Sequence, residues 1–389
     1  MPPSAANLAH FIRSGDGVIV GQACAEPQTL VEILVAQRAA FSGAHVFLGV
    51  NYSGIVKPGH ADHLTLSSYC GAGHNRALAD AGVLDIHPHP YSRLAPLIRQ
   101  RKIPGDVVLV QVSPPNARGE HSMGLAVDYL LPAIESARAV IAEVNERIPW
   151  THTEKLFRKE DFALLVESSR DPAAPPAARA GDLEKAIARH AAALIPDGAT
   201  LEFGLGVLPD VVCAELLGRK NLRVHSGTFG DGVADLMARG AVREAVCAQL
   251  IGTKKIFDFA RGNPAIRLRS TEFTHDPRVL MAIERFVAIN SAVEVDLTGQ
   301  VNAEAAGGSY LGAVGGALDF MRAANQSPGG VSLLLLPASR IVNTLSGPVS
   351  TPRSEAGVIV TERGAADLRG CTLNERIRRL TAISTLAAL

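Results

Sequence analysis

The chain has 389 residues, 47% of them hydrophobic and only 5% aromatic, which is enough for two domains with separate cores. Lys+Arg and Asp+Glu are both 38, so no net field draws in nucleic acid or an anionic membrane, and neither partner is expected. No signal peptide is read at the N-terminus, the best apolar run (331–337) is strand-sized, and five cysteines without C-x-x-C spacing read as reduced thiols of a cytoplasmic protein.

Apolar strands are expected at 17–20, 45–50, 106–112 and 139–144, with helical segments between them, the clearest at 28–41. Strands alternating with helices imply βαβ units, hence an α/β fold with mostly parallel sheets. The run DPAAPPAARAG at 171–181 has little to bury and reads as a semi-rigid linker between domains at 1–170 and 182–389.

After the linker the pattern begins again. SGDGVIVGQACAEPQTLVEIL at 14–34 and PDGATLEFGLGVLPDVVCAEL at 196–216 share Asp-Gly, a short strand, a small-residue loop and a Pro that opens a helix. A duplicated open α/β domain follows, with a ligand cleft expected between the two copies.

The second copy holds the candidate site. A strand at 200–203 leads into Gly204, Leu205, Gly206, Val207 and Leu208, then a helix from Pro209. Glycines here either let a backbone approach a phosphate or thioester, or merely make a tight turn. A second strand is expected at 222–225, with an exit loop at 226–232. His225 and Asp231, six apart around that loop, form a conceivable dyad, although a histidine at a strand end is more often structural. Ser226 lacks a G-x-S-x-G elbow, and the histidines show neither i,i+4 nor H-E-x-x-H spacing, so neither a hydrolase serine nor a metal is expected. Gly315 and Gly316, in SYLGAVGGALDF at 309–320, can aim backbone N–H groups at a developing oxyanion, or can simply connect to a helix at 318–323. The run at 361–370 reads as a loop between strand and helix.

A longer set of segments carries a resemblance: GQACAEP at 21–27, QVSPP at 111–115, SMGLAVD at 122–128, GLGVLPD at 204–210, NSAVEVDLTGQVN at 290–302 and VTERGAADLRG at 360–370. In this order they resemble the acetyl-CoA hydrolase/transferase family, which includes 4-hydroxybutyrate CoA-transferases, over nearly the whole chain. The resemblance implies two similar open α/β domains and no permanently bound cofactor. Acyl-CoA is the implied substrate and a carboxylate the implied acceptor of CoA. It also implies a homodimer or higher homo-oligomer. Gly204 to Leu208 would contact CoA, and a backbone N–H near Gly315 and Gly316 would hold the oxyanion.

The family's nucleophile is the Glu of His-Thr-Glu or His-Ser-Glu, two residues before Ser-Asp-Gly. This chain reads His225-Ser226-Gly227-Thr228-Phe229-Gly230-Asp231-Gly232. Gly227 therefore stands at the nucleophile position and cannot form an acyl anhydride. The family commonly has Gln where this chain has Glu202, and Gly-Gly-Gln where it has Gly315-Gly316-Ala317. These departures imply a changed reaction: thioester hydrolysis with Glu202 or the His225/Asp231 pair activating water, or a lyase or decarboxylase reaction. The alternatives are CoA transfer through another carboxylate, or an acyl-CoA-binding subunit partnered by a Glu-bearing paralogue.

Overall fold

The computed structural model describes residues 1–175 and 179–387; the middle of the expected linker, 176–178, lies outside the described residues. The chain divides into two compact units, Met1–Pro176 with Ala248–Glu272, and Ala177–Cys247 with Phe273–Leu389. The chain passes from the second unit into the first within the strand Val242–Leu250 and returns at Phe273.

The sheet of the first unit runs Leu84–Ile86, Leu64–Ser68, Ala44–Leu48, Gly17–Val20, Val107–Val112, Ala139–Asn145, Leu164–Ser168, with every neighbouring pair parallel. Gly17–Val20 and Val107–Val112 are buried along their whole length. A parallel strand covered on both faces reads as a continuous apolar run rather than an alternating one, which is why these two stand out in the sequence. The helix Gln28–Gln37 starts against the buried carboxylate of Glu143, which accepts from the N–H groups of Thr29 and Leu30 and from Thr29 Oγ1. A negative charge on the orphan donors of a helix N-terminus is favourable. The expected helix over 28–41 stops at Gln37 and tightens into a 3₁₀ turn, Arg38–Phe41, that buries Phe41.

The strands of the second unit are ordered Gly364–Asp367, Val358–Thr361, Val331–Leu335, Phe286–Ser291, Thr200–Phe203, Leu222–Phe229, Val242–Leu250. All of these are parallel where their registers are defined, except the first pair. That pair corrects the loop expected at 361–370: Thr361 lies opposite Gly364 in a hairpin, with Gly364 at φ +133° making the reversal. One face of the sheet is covered by a cluster of Leu280, Phe286, Ala288, Phe320, Ala323 and Ala324, which seats the helix Ala317–Gln326 on Phe286–Ser291.

A second correction falls on the candidate site. The strand expected to end at His225 runs on to Phe229, and the helix Asp231–Ala238 follows almost at once. Ser226 and Thr228 look like loop residues, but their hydroxyls continue the strand's attachment to its neighbour. Ser226 Oγ accepts from the Phe203 N–H at 3.1 Å, and Ser226 Oγ and Thr228 Oγ1 donate to the Phe203 carbonyl at 3.1 and 3.0 Å.

Candidate functional site

In the second unit the strand order reverses at Thr200–Phe203. The later strands Leu222–Phe229 and Val242–Leu250 lie to one side, and Phe286–Ser291 and Val331–Leu335 to the other. The crevice outside the carboxyl ends of strands at such a reversal is the usual ligand position in an open α/β sheet. Glu202 and Asn290 meet there. Asn290 Nδ2 donates to Glu202 Oε2 at 2.7 Å and the Ile289 N–H donates to the same oxygen at 3.1 Å. Glu202 is only 2% exposed, and burial, outweighing these two bonds, pushes its carboxyl up to about 8. Glu202 is thus largely protonated at neutral pH, with an ionised fraction that grows through the mildly alkaline range.

The glycine loop leaves the same strand. A Cβ at Gly204 would stand 2.7 Å from Asn290 Oδ1, so a side chain there would have to displace the Asn290 amide. Gly206 has φ +124° and caps the helix Val207–Glu215. Leu205 is 42% exposed, while Val207 is half-buried in the first turn. The two glycines therefore answer to local backbone demands, and the loop holds Leu205 outward.

Gly227 lies in the extended strand with no left-handed φ, so its backbone would accept any residue. What restricts it is a neighbour that the sequence does not single out. A Cβ at Gly227 would stand 3.3 Å from His275 Nε2, 3.4 Å from His275 Cε1 and 3.5 Å from Phe320 Cε2. A Cβ at Gly316 would lie 2.7 Å from the same His275 Nε2 and 3.1 Å from Phe320 Cε2. The imidazole edge thus adjoins both Gly227 and Gly316. His275 is 2% exposed, its Nδ1 lies 2.9 Å from Thr274 Oγ1, and its ring centroid is 4.5 Å from that of Phe320. Burial, with a smaller push from His225, takes the imidazole down to about 3, so it is neutral at any working pH. The sequence signal for it is Thr274-His275-Asp276-Pro277: Asp276 caps the short helix Pro277–Met281, with Pro in its first turn, which fixes His275 just outside the helix.

His225 is buried on the same strand, its Nε2 3.0 Å from the Thr274 carbonyl and its ring against Phe273 and Phe286. It thereby helps anchor the segment that carries His275. Asp231 is the first residue of the helix Asp231–Ala238, where its charge helps raise the carboxyl of Asp210 in the helix Val207–Glu215, second to burial. Extended strand, rather than the expected loop, leads from His225 to Phe229, just before Asp231. Gly315 has φ +58°, and Gly316 is the N-cap of the helix Ala317–Gln326. Among the described residues no group of three or more His, Cys, Asp or Glu side chains is placed to hold a metal, and no helix is long and apolar enough to cross a membrane.

Comparison with known proteins agrees across the chain. Residues 3–159 match the acetyl-CoA hydrolase/transferase N-terminal domain, and residues 252–386 match the corresponding C-terminal domain. The chain is 35% identical to the 4-hydroxybutyrate coenzyme A transferase of Clostridium kluyveri, over 96% of this chain and 92% of that protein. An acetyl-CoA hydrolase of Saccharomyces cerevisiae is 28% identical over 57% of this chain and 46% of its own length. Among solved structures, RipA from Yersinia pestis superposes with a TM-score of 0.92 at 28% identity, covering 99% of this chain and 93% of the other. The 4-hydroxybutyrate CoA-transferase of Porphyromonas gingivalis superposes with a TM-score of 0.80 at 30% identity, with the same coverage.

Proposed function

This chain belongs to the acetyl-CoA hydrolase/transferase family of enzymes, and from that premise we propose that it hydrolyses acyl-CoA thioesters directly, without a carboxylate nucleophile at position 227. One observation carries the reading: Gly227 brings no side chain to the site, and a Cβ there would lie 3.3 Å from the imidazole of His275 and 3.5 Å from the ring of Phe320. A covalent route through this position has no atom to form the bond.

Water replaces the nucleophile. Its oxygen adds to the thioester carbonyl carbon while the ionised fraction of Glu202 takes its proton. The C–S bond then breaks, the proton passes to the CoA sulfur, and a carboxylic acid and free CoA thiol leave. A carboxyl shifted to about 8 suits this exchange, because a general base works best when its pKa lies near the operating pH. The register of the strands supports the assignment. Thr200 pairs with both Phe286 and Arg223, and continuing that pairing places Glu202, His225 and Gly227 on one face.

The test is incubation with a panel of acyl-CoAs without any carboxylate acceptor. Catalytic release of free thiol, with no borohydride-trapped adduct on any glutamate, is the expected result. A requirement for an acceptor carboxylate, stoichiometric release of CO₂, or CoA binding without turnover would each overturn it, pointing respectively to residual CoA transfer, decarboxylation and a binding subunit.

A further inference from the structure

The carboxyl of Glu202 is held through one of its two oxygens. Ile289 N–H and Asn290 Nδ2 both donate to Oε2, at 3.1 and 2.7 Å, and Oε1 takes no hydrogen bond among the described residues. We infer, resting on the hydrolysis reading and deepening it, that Asn290 is a positioning residue: it fixes Oε2 so that Oε1 is the oxygen that meets the attacking water, and Gly204 is the glycine that makes room for the Asn290 amide. The family resemblance gives Gly204 to CoA and gives Asn290 no role.

The donor pattern decides where the moving proton goes. An ionised carboxylate offers only acceptors, so the base form of Glu202 pairs with the Nδ2 side of the amide. Both lone pairs of Oε2 are then engaged, the proton taken from water goes to Oε1, and the carboxyl keeps its two donors throughout the step. Solvent reaches Oε1, which is not one of the fully buried polar atoms left without a partner, as Asn51 Nδ2 and Gln249 Oε1 are. The first donor is backbone and is placed by strand register: Ala288 lies opposite Glu202 and Ile289 opposite Phe203 in a parallel pair. The second donor is a side chain, buried with Glu202, and it has to be kept in its rotamer.

Gly204 does this by what it lacks. Its N–H donates to the Ile289 carbonyl at 2.8 Å, which carries the pairing one residue past Phe203 and brings its Cα up to Asn290. A Cβ there would stand 2.7 Å from Asn290 Oδ1 and 3.4 Å from Asn290 Cα and Cγ. An approach of 2.7 Å forces a shift, and the amide is the part that can turn. Turning it takes Nδ2 away from Oε2.

The test reads Glu202 separately from turnover. A ¹³C NMR titration of the whole chain follows the Glu202 carboxyl, its signal assigned by its loss in Glu202→Gln, while kcat and KM for acyl-CoA hydrolysis are measured over the same pH range. Asn290→Ala removes a donor that favours the ionised form, so the midpoint of Glu202 ionisation should move up and the rise of kcat with pH should move up with it. At neutral pH kcat should fall on the order of 10- to 100-fold with KM changed little. Gly204→Ala, which leaves the amide in the chain but displaces it, should move both readouts in the same direction. In an Asn290→Ala background the same Gly204→Ala change should add nothing, because the amide it displaces is already gone. A midpoint unmoved or lowered in Asn290→Ala, a raised KM with kcat intact, or losses that add in the double variant would overturn the inference. Should Gly204→Ala fail to fold, the titration and pH profile of Asn290→Ala decide alone. Should wild type release no thiol from any acyl-CoA, the hydrolysis reading fails by itself, and the Glu202 titration in Asn290→Ala still decides whether Asn290 holds the carboxyl.

Discussion

His275 Nε2 stands 3.3 Å from the point that a Cβ on Gly227 would occupy, so any side chain introduced at position 227 must settle against this histidine. A contact that short is tolerated only if the neighbour gives way. His275 is held by Thr274 Oγ1 on one edge and by Phe320 on one face. Restoring a carboxylate at position 227 is therefore a question about two residues.

The expected behaviour follows. Gly227→Glu alone should lose roughly 1–3 kcal/mol of stability through overpacking and gain little CoA-transferase activity. Gly227→Glu combined with His275→Asn should recover most of that stability and gain transferase activity, with a borohydride-trapped adduct on the new glutamate. Thermal melts and an acetate-dependent CoA-transfer assay on both variants decide the matter. Full transferase activity in the single variant would show that His275 does not occupy the space.

Gly316 gives the complementary test. Its backbone is helical (φ −82°, ψ −11°), so alanine costs nothing there on conformational grounds, and the 2.7 Å approach to His275 Nε2 is the chief obstacle. Gly316→Ala is expected to lower the melting temperature by an amount corresponding to about 1–3 kcal/mol. In a His275→Ala background, where the opposing ring is already absent, the same Gly316→Ala change should cost much less. Additive losses in the double variant would locate the cost elsewhere.

The buried parallel strands were legible because burial on both faces writes a continuous apolar run, as in Val107–Val112, and the Asp-Gly, strand, loop, Pro pattern falls inside the second unit, on the strand Thr200–Phe203 and the helix Val207–Glu215. Gly227 and Glu202 drew notice only through a resemblance to a family pattern, not through any local spacing. His225 and Asp231 suggested a pair because they stand six apart around an expected loop. Side-chain bonds from Ser226 and Thr228 to Phe203, invisible to hydropathy, turned that loop into strand. His275 showed only a helix start beside it, Asp276-Pro277, which gives no sign of a site. It reaches Gly227 only because the fold lays Phe273–Asp276 across the face that carries Phe286 and Phe320, and no local spacing encodes that meeting.

Glu202 supplies a prediction in stability as well as rate. Its carboxyl is raised from an unfolded value near 4.5 to about 8 in the fold, so the folded state binds its proton more tightly than the unfolded chain does. The sign follows from linkage: stability is unaffected by this group below about pH 4.5, falls as pH rises through the interval from 4.5 to 8, and levels off above. The upper limit of that fall is about 5 kcal/mol, since each pH unit between the two values corresponds to about 1.36 kcal/mol. Glu202→Gln keeps an oxygen to accept from Ile289 N–H and Asn290 Nδ2 but cannot ionise. Its melting temperature should match wild type near pH 4.5 and exceed it by several degrees at about pH 8.5. The same substitution should abolish the alkaline rise in hydrolysis that ionisation of Glu202 produces in wild type between about pH 6.5 and 8.5. Parallel melting curves at all pH values would show that the carboxyl is not raised, and a rate profile unchanged by the substitution would remove Glu202 from the proton path.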